Sequence, residues 1–460
     1  MELRLNIILN ILFICHFVAS SENSGLAEEN VTSGGKTWAL LVAGTNGWSY
    51  YRHQANICHA YKTLVNKFNM PKDRIITMFY DDVANDGRNP RPGELINEPN
   101  GTDVYKGVVK DYTGEKVSLD NFYKILKGDK SSKGKVIEPN AQNRIFIFFT
   151  GTGGKGGFSR LISETIWADS FSKTLLDLKK NKKMKEALVY WESSHSGAMF
   201  DTYLPYSSGI LALTSAAADE DSFGWYCNVD DMPVCLAGHF SSCWLDNADQ
   251  KSAQKQSIFE HQNGVRQCVT SSHPNLYGSF KLGLKKLSYF FGGSKMAEGS
   301  RSDYAALDEL SEQDSFRVAS AENTQEEKTK GLAEVDIPVA MLEGQISNAK
   351  SAEEKARLEE ELALLKKNRN LMDQTMDKIL DLSMGGLKVD LQDSSFTEHR
   401  RCFKKLAIQF QKLCFDNSNY YVDHILPKLF TVCKASAEER AIESMSTVCT
   451  EQHRSLKNAV

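Results

Sequence analysis

No excess of charge of either sign marks this sequence. Its 55 Lys and Arg stand against 59 Asp and Glu, a formal −4, and no basic patch suggests a nucleic-acid partner. Membrane-spanning runs are also lacking: the apolar stretch from Leu5 to Val18 is too short and too poorly flanked to anchor the chain in a bilayer. Metal-type cysteine spacing is missing too. The last four cysteines, at 402, 414, 433 and 449, lie twelve, nineteen and sixteen residues apart without the short Cys-x-x-Cys spacing that zinc sites use. Nothing in the sequence calls for a metal or another cofactor. Glycine and proline are absent from Ser351 to Leu382, so nothing there breaks a single long helix.

What is present is ordinary globular composition, 41% hydrophobic and 25% charged over 460 residues, with a length that suggests two domains. Arg4, the apolar stretch after it and the small residues Val18-Ala19-Ser20 fit a secretory signal over 1–20. On that expectation the protein is secreted or lysosomal/vacuolar. Cys15 then leaves with the signal and nine cysteines remain, an odd number that leaves at least one thiol unpaired in an oxidising compartment. Asn30-Val31-Thr32 and Asn100-Gly101-Thr102 become candidate glycosylation sites on Asn30 and Asn100.

Residues 21–36 read as a polar, loosely attached segment. The first domain is expected over 37–292. Its continuous apolar runs, Trp38–Gly44, Ile75–Tyr80, Ile145–Thr150, Ala187–Trp191 and Ile210–Leu213, do not alternate, as expected of strands buried on both faces. Helix-like stretches at His53–Asn69 and Ser170–Leu178 and loops at Asp86–Gly101 and Gly151–Gly157 separate them. This pattern predicts an α/β sandwich with a largely parallel sheet and a site at the carboxyl ends of its strands. Residues 293–336 are polar and acidic and read as a linker. A helical region over 337–460 follows, with Leu358, Leu362, Leu365, Met372, Met376 and Ile379 forming a packing stripe on one helix. The four cysteines near its end allow three disulfide pairings that spacing cannot separate.

Several segments together carry a resemblance: Val42-Ala43-Gly44-Thr45-Asn46-Gly47-Trp48, Tyr51-Arg52-His53-Gln54-Ala55, Tyr80-Asp81-Asp82 and Asn100-Gly101-Thr102-Asp103-Val104-Tyr105. They are similar to the legumains, asparaginyl endopeptidases of peptidase family C13, over nearly the whole length after residue 20. The resemblance implies a caspase-like first domain and an all-α, prodomain-like second region that covers the site. It also implies the pairing Cys402–Cys433 and Cys414–Cys449.

Legumains cleave after Asn with a Cys nucleophile, a His that promotes the thiolate and an Asn that orients the site. Carried over by motif, these positions hold Ser194, Thr152 and Tyr50 here. A serine hydroxyl needs a base more than a thiol does, and threonine cannot serve near neutral pH. His195 adjoins Ser194, but neighbouring side chains on an extended segment point to opposite faces. Residues matching the family's substrate pocket are Arg52, His53, Glu192 and Ser222, a set suited to a carboxamide, although Arg52 and Glu192 could equally form an ion pair that only holds the fold. Phe223 is expected to intrude on that pocket, and Gly238 aligns with the family's pocket Asp. Asn348 lies where legumains are cut during activation. The resemblance therefore implies a pseudopeptidase that binds peptides, or protein inhibitors and partners of active relatives. The alternative is an active or weakly active asparaginyl hydrolase.

Overall fold

The computed structural model describes residues 35–229, 232–292, 331–387, 395–415 and 419–456. The signal-like segment and Asn30 lie outside them. In the described part, twelve strands run in chain order: β1 Thr37–Ala43, β2 Ile75–Met78, β3 Arg144–Thr150, β4 Gly153–Gly154, β5 Phe158–Leu161, β6 Glu164–Trp167, β7 Glu186–Glu192, β8 Ile210–Thr214, β9 Phe223–Cys227, β10 Cys235–Gly238, β11 Asn275–Gly278 and β12 Leu332–Ala333. Six of them form the central sheet in the order β11-β8-β7-β3-β1-β2. Every pairing in it is parallel except that of β11 with β8.

Continuous apolar strands suit a sheet covered on both faces, and alternate residues serve the two sides. Ala39, Leu41, Phe146, Phe148, Leu188 and Tyr190 pack toward the helices Tyr51–Asn66, His239–Asp249 and Ile258–Cys268. Leu40, Val42, Ile147, Phe149, Val189 and Trp191 pack toward Leu119–Lys127 and Ala168–Lys180. The architecture is the expected α/β sandwich followed by an all-α region. The expected strands fall within a few residues of the observed ones, while the edge strand β11 had no apolar run to betray it.

Two loop expectations need correction. The stretch 151–157 is not all loop, because Gly153–Gly154 pairs antiparallel with Phe158–Ser159. The resulting hairpin, β4 to β6, carries Phe158 and Trp167 into the core of the helical region, beside Phe403. The acidic stretch read as linker is also structured where it is described: Leu332 and Ala333 pair with Gly224 and Phe223 of β9, and the helix Ile337–Ser347 follows.

The long helix runs over Ala352–Met384, capped by Ser351, whose hydroxyl accepts from Glu354 N, and ended by Gly385 in the left-handed region. Leu358 is buried, and Met372, Met376 and Ile379 are buried in the helical core, whereas Leu362 and Leu365 between them are only half-buried. Among the described residues four disulfides are present: Cys227–Cys235, Cys243–Cys268, Cys402–Cys433 and Cys414–Cys449. The last two cross-link the helical region, where each such staple is worth ~2–4 kcal/mol. Cys58 is the remaining thiol of the nine, fully buried, and burial pushes its pKa far above the usual range. No helix among the described residues is long and apolar enough to cross a membrane.

Candidate functional site

Strand β7 delivers the central residue. Its last side chain, Glu192, is buried, after which the chain turns at His195, a left-handed residue with φ 56°, into a short 3-10 turn at Ser196–Met199. The turn is fixed from below, with Ser193 N donating to Ser215 Oγ (3.2 Å) and His195 N to Glu220 O (2.7 Å). It leaves Ser194 at the carboxyl edge of the sheet, where such folds place their sites. Ser194 Oγ accepts from the backbone N of Ser222 (3.1 Å).

Thr152 and Tyr50 line the same cavity as Ser194, so the three positions distant in sequence meet. Neither is free to act. Thr152 Oγ1 donates to Asp423 Oδ2 (3.2 Å), an aspartate of the helical region. The Tyr50 ring lies edge-on to Tyr420 (4.7 Å between centroids) and flat against His53 (6.0 Å). Burial raises the Tyr50 hydroxyl well above its ordinary pKa, so it stays protonated. Only about 60 Å³ of space is left at Ser194, a few waters' worth and too little for a peptide.

His195 offers no base to Ser194. Its Nε2 faces Asp221 (3.5 Å) and its Nδ1 is buried without a partner, so neither ring nitrogen is bonded to the serine hydroxyl. Burial lowers its pKa, against the opposing pull of Asp221.

Arg52 and His53 occupy the first turn of the helix Tyr51–Asn66, which has no acidic residue in that turn. The helix dipole is unfavourable for a cation there. The compensating charge comes from Glu334, immediately after β12. Its Oε1 lies 3.1 Å from Arg52 Nη2 and 3.7 Å from His53 Nε2, and its Oε2 accepts from Ser194 N (3.3 Å). Glu334 N donates to Ser222 O (3.2 Å). His53 Nδ1 meets Thr45 Oγ1 (2.6 Å). Burial drives His53 well below its ordinary pKa, helped by Arg52, so the ring is neutral. The Glu334 carboxyl is pushed up to about 7 by burial, against the lowering pull of Arg52.

Of the two readings of Arg52 and Glu192, the ion pair between them is not formed; Arg52 pairs with Glu334 instead. Glu192 is saturated by other donors: Ser241 N (3.0 Å) on Oε1, and Ser241 Oγ (2.6 Å), Thr150 Oγ1 (2.7 Å) and Asn56 Nδ2 (2.9 Å) on Oε2. It sits behind the cavity rather than lining it. Phe223 does not line the cavity either; it is held in the β9 ladder opposite Ala333. Gly238 has a structural reason to be glycine, since a Cβ there would stand 2.2 Å from Glu192 Oε1. Gly238→Ala is expected to cost about 1–3 kcal/mol by overpacking, measured by urea denaturation. A change below about 0.5 kcal/mol would mean that Glu192 yields easily, as a surface substitution does.

Asp423 completes the cluster. Arg160 of β5, fully buried, donates to Asp423 Oδ1 through Nε (2.6 Å) and through Nη2. Burial raises the Asp423 pKa, opposed by Arg160. Glu334, Asp423, Arg160 and Tyr420 were all missed by motif reasoning. None belongs to a motif, and each meets its partner across more than a hundred residues of chain. Among the candidate modification sites, Asn100 and Asn348 are exposed. Asn348 caps the C-terminus of the helix Ile337–Ser347. Among the described residues there is no cluster of three or more His, Cys, Asp or Glu suited to a metal.

The sequence model of the peptidase C13 family matches residues 37–294, which hold β1 to β11 and the turn that carries Ser194. The chain belongs to peptidase family C13. Within that family it is 33% identical over 393 residues to the hemoglobinase of Schistosoma mansoni, across 85% of this chain and 86% of that one. It is 30% identical to the vacuolar-processing enzyme delta-isozyme of Arabidopsis thaliana, across 94% and 96%. Against the legumain of Homo sapiens the identity is 29%, across 87% and 88%. The likeness to these family C13 relatives extends through the helical region as well as the sheet domain. A solved caspase-1 from Spodoptera frugiperda is similar at 8% identity with a TM-score of 0.32, over 54% of this chain and 88% of that one.

Proposed function

We propose that this family member is a pseudopeptidase, a protein of the secretory route that holds polypeptide segments at the Ser194 site, once its own chain no longer closes it, without cleaving them. The observation that carries this reading is the state of Ser194. Its hydroxyl faces a threonine tied to Asp423 and a tyrosine packed on Tyr420, with no imidazole bonded to it. Loss of a general base alone typically costs ~10²–10⁴ in rate. Loss of nucleophile and base together leaves only what binding and oxyanion donors supply. The disulfides fit an oxidising compartment, and the exposed Asn100 is open to glycosylation. A lysosomal or vacuolar address is proposed by analogy with the vacuolar-processing relative. The ligands proposed are peptides, or the protein inhibitors and partners of active legumains.

One observation favours a rival reading. Glu334 lies against Ser194 and has a pKa near 7, a value suited to a general base. A weak serine hydrolase would follow if the carboxyl served the hydroxyl. Acid-treated full-length protein assayed on an Asn-containing fluorogenic peptide decides between the two. We expect no turnover above background. Turnover abolished by Ser194→Ala would overturn the pseudopeptidase reading.

A further inference from the structure

We propose that the cleft between the outer edge of β9 and Arg52 is a docking site for an extended, glutamate-bearing segment of another polypeptide, with residues 331–335 as its resident occupant. The inference rests on the binding role proposed above and names the ligand's chemistry.

The backbone half of the site is an unshared strand edge. One side of β9 is paired with β10 and cross-linked to it by Cys227–Cys235. Among the described residues the other side carries only the short β12, paired at Leu332 and Ala333 and continued by the bond from Glu334 N to Ser222 O. An extended peptide can add to such an edge through main-chain hydrogen bonds, while pockets for particular side chains supply selectivity.

The side-chain half is a pocket short of one acceptor. Arg52 and His53 sit at a helix start that has no acidic residue of its own, and the Ser194 N–H points into the same space. The neighbouring carboxylate cannot fill the need, because Glu192 is committed to Asn56, Thr150 and Ser241. Without Glu334 the buried guanidinium of Arg52 would lose its ion pair, which is the costly condition for a buried charge. A carboxyl at the end of two methylenes, entering from a strand on β9, answers this arrangement. Flanking positions are far less constrained, since Leu332, Ala333 and Val335 are only half-buried. The site is therefore selective at one position and permissive beside it.

A ligand from another chain competes with a tethered occupant, whose effective concentration is high, so the test weakens the occupant first. The protein is the full-length Glu334→Ala variant. The probes are the fluorescein-labelled peptide of residues 331–336 and the same peptide with its glutamate replaced by alanine, followed by fluorescence anisotropy at pH 8. The expected result is saturable binding of the first peptide, at least about ten-fold tighter than the second. Equal affinity for both, or binding of neither, overturns the proposal. Should Glu334→Ala not fold, Glu334→Gln replaces it, keeping the side-chain volume while losing the charge that pairs with Arg52, and the same two outcomes apply. Hydrolysis of the Asn peptide by the unaltered protein would sink the pseudopeptidase reading and leave the glutamate preference standing, so the two failures are told apart.

Discussion

Asp423→Ala is expected to destabilise the protein by about 3–5 kcal/mol, the usual loss when one member of a buried ion pair is removed. Arg160 is fully buried, and besides Asp423 its guanidinium donates, among the described residues, only to Thr165 Oγ1 (3.1 Å) and, with the Gln411 amide oxygen turned toward it, to Gln411 (2.7 and 3.1 Å). These neutral acceptors satisfy hydrogen bonds but not the charge. Thr152 would lose its acceptor in the same step. Replacing the pair by Arg160→Met with Asp423→Leu should recover most of the loss, because two apolar groups leave no stranded charge. Urea denaturation followed by tryptophan fluorescence gives both numbers. A single-variant loss below about 1 kcal/mol would place the pair in the weak class typical of exposed ion pairs. Asp423 belongs to the helical region and Arg160 to the sheet domain, so limited proteolysis should also reveal earlier cutting between the two in the alanine variant.

The second large effect is a dependence of stability on pH carried by Glu334. Its carboxyl titrates near 7 when folded against an ordinary 4.5. An acid raised in this way binds its proton more tightly in the folded state, so its contribution is complete below the unfolded value and is lost as pH rises through 7. That rise corresponds to roughly 3 kcal/mol across the full range. Most of it, about 2–3 kcal/mol, falls between pH 5 and 8. His53, His195 and His261 oppose this, since burial lowers their pKa values and makes acid unfavourable to the fold. The Glu334→Gln variant keeps those histidines and removes the titrating group. Its stability relative to the unaltered chain should therefore improve by about 2–3 kcal/mol from pH 5 to pH 8. A difference that stays flat across that range would refute the raised pKa.

The sheet was legible because its strands are continuous apolar runs, and burial on both faces leaves no other way to satisfy them. Ser194, Thr152 and Tyr50 were found by motif and do converge on one cavity. Glu334 was hidden by its own surroundings. In composition, the acidic stretch before it looks like a solvated linker, and nothing local marks one glutamate among many as buried. Its meaning comes from Arg52, 282 residues away, and such a pair leaves no periodicity to read. Arg160 and Asp423, 263 residues apart, were invisible for the same reason. Glu192 was found by motif, but its four internal donors, Ser241 through N and Oγ, Thr150 and Asn56, were not legible there.

The helix Ala352–Met384 gives these parts a mechanical relation. At 33 residues it is a rod of roughly 50 Å. Arg369, near its midpoint, donates to Val335 O (2.7 Å), the carbonyl next to Glu334, while Met372, Met376 and Ile379 bed the far end in the disulfide-bonded bundle. A rod gripped in this way is a lever. Force that pulls the bundle from the sheet domain is transmitted to the carbonyl beside Glu334, so the strand on β9 and the helical bundle should yield together in a single-molecule stretching trace rather than as two separate ruptures.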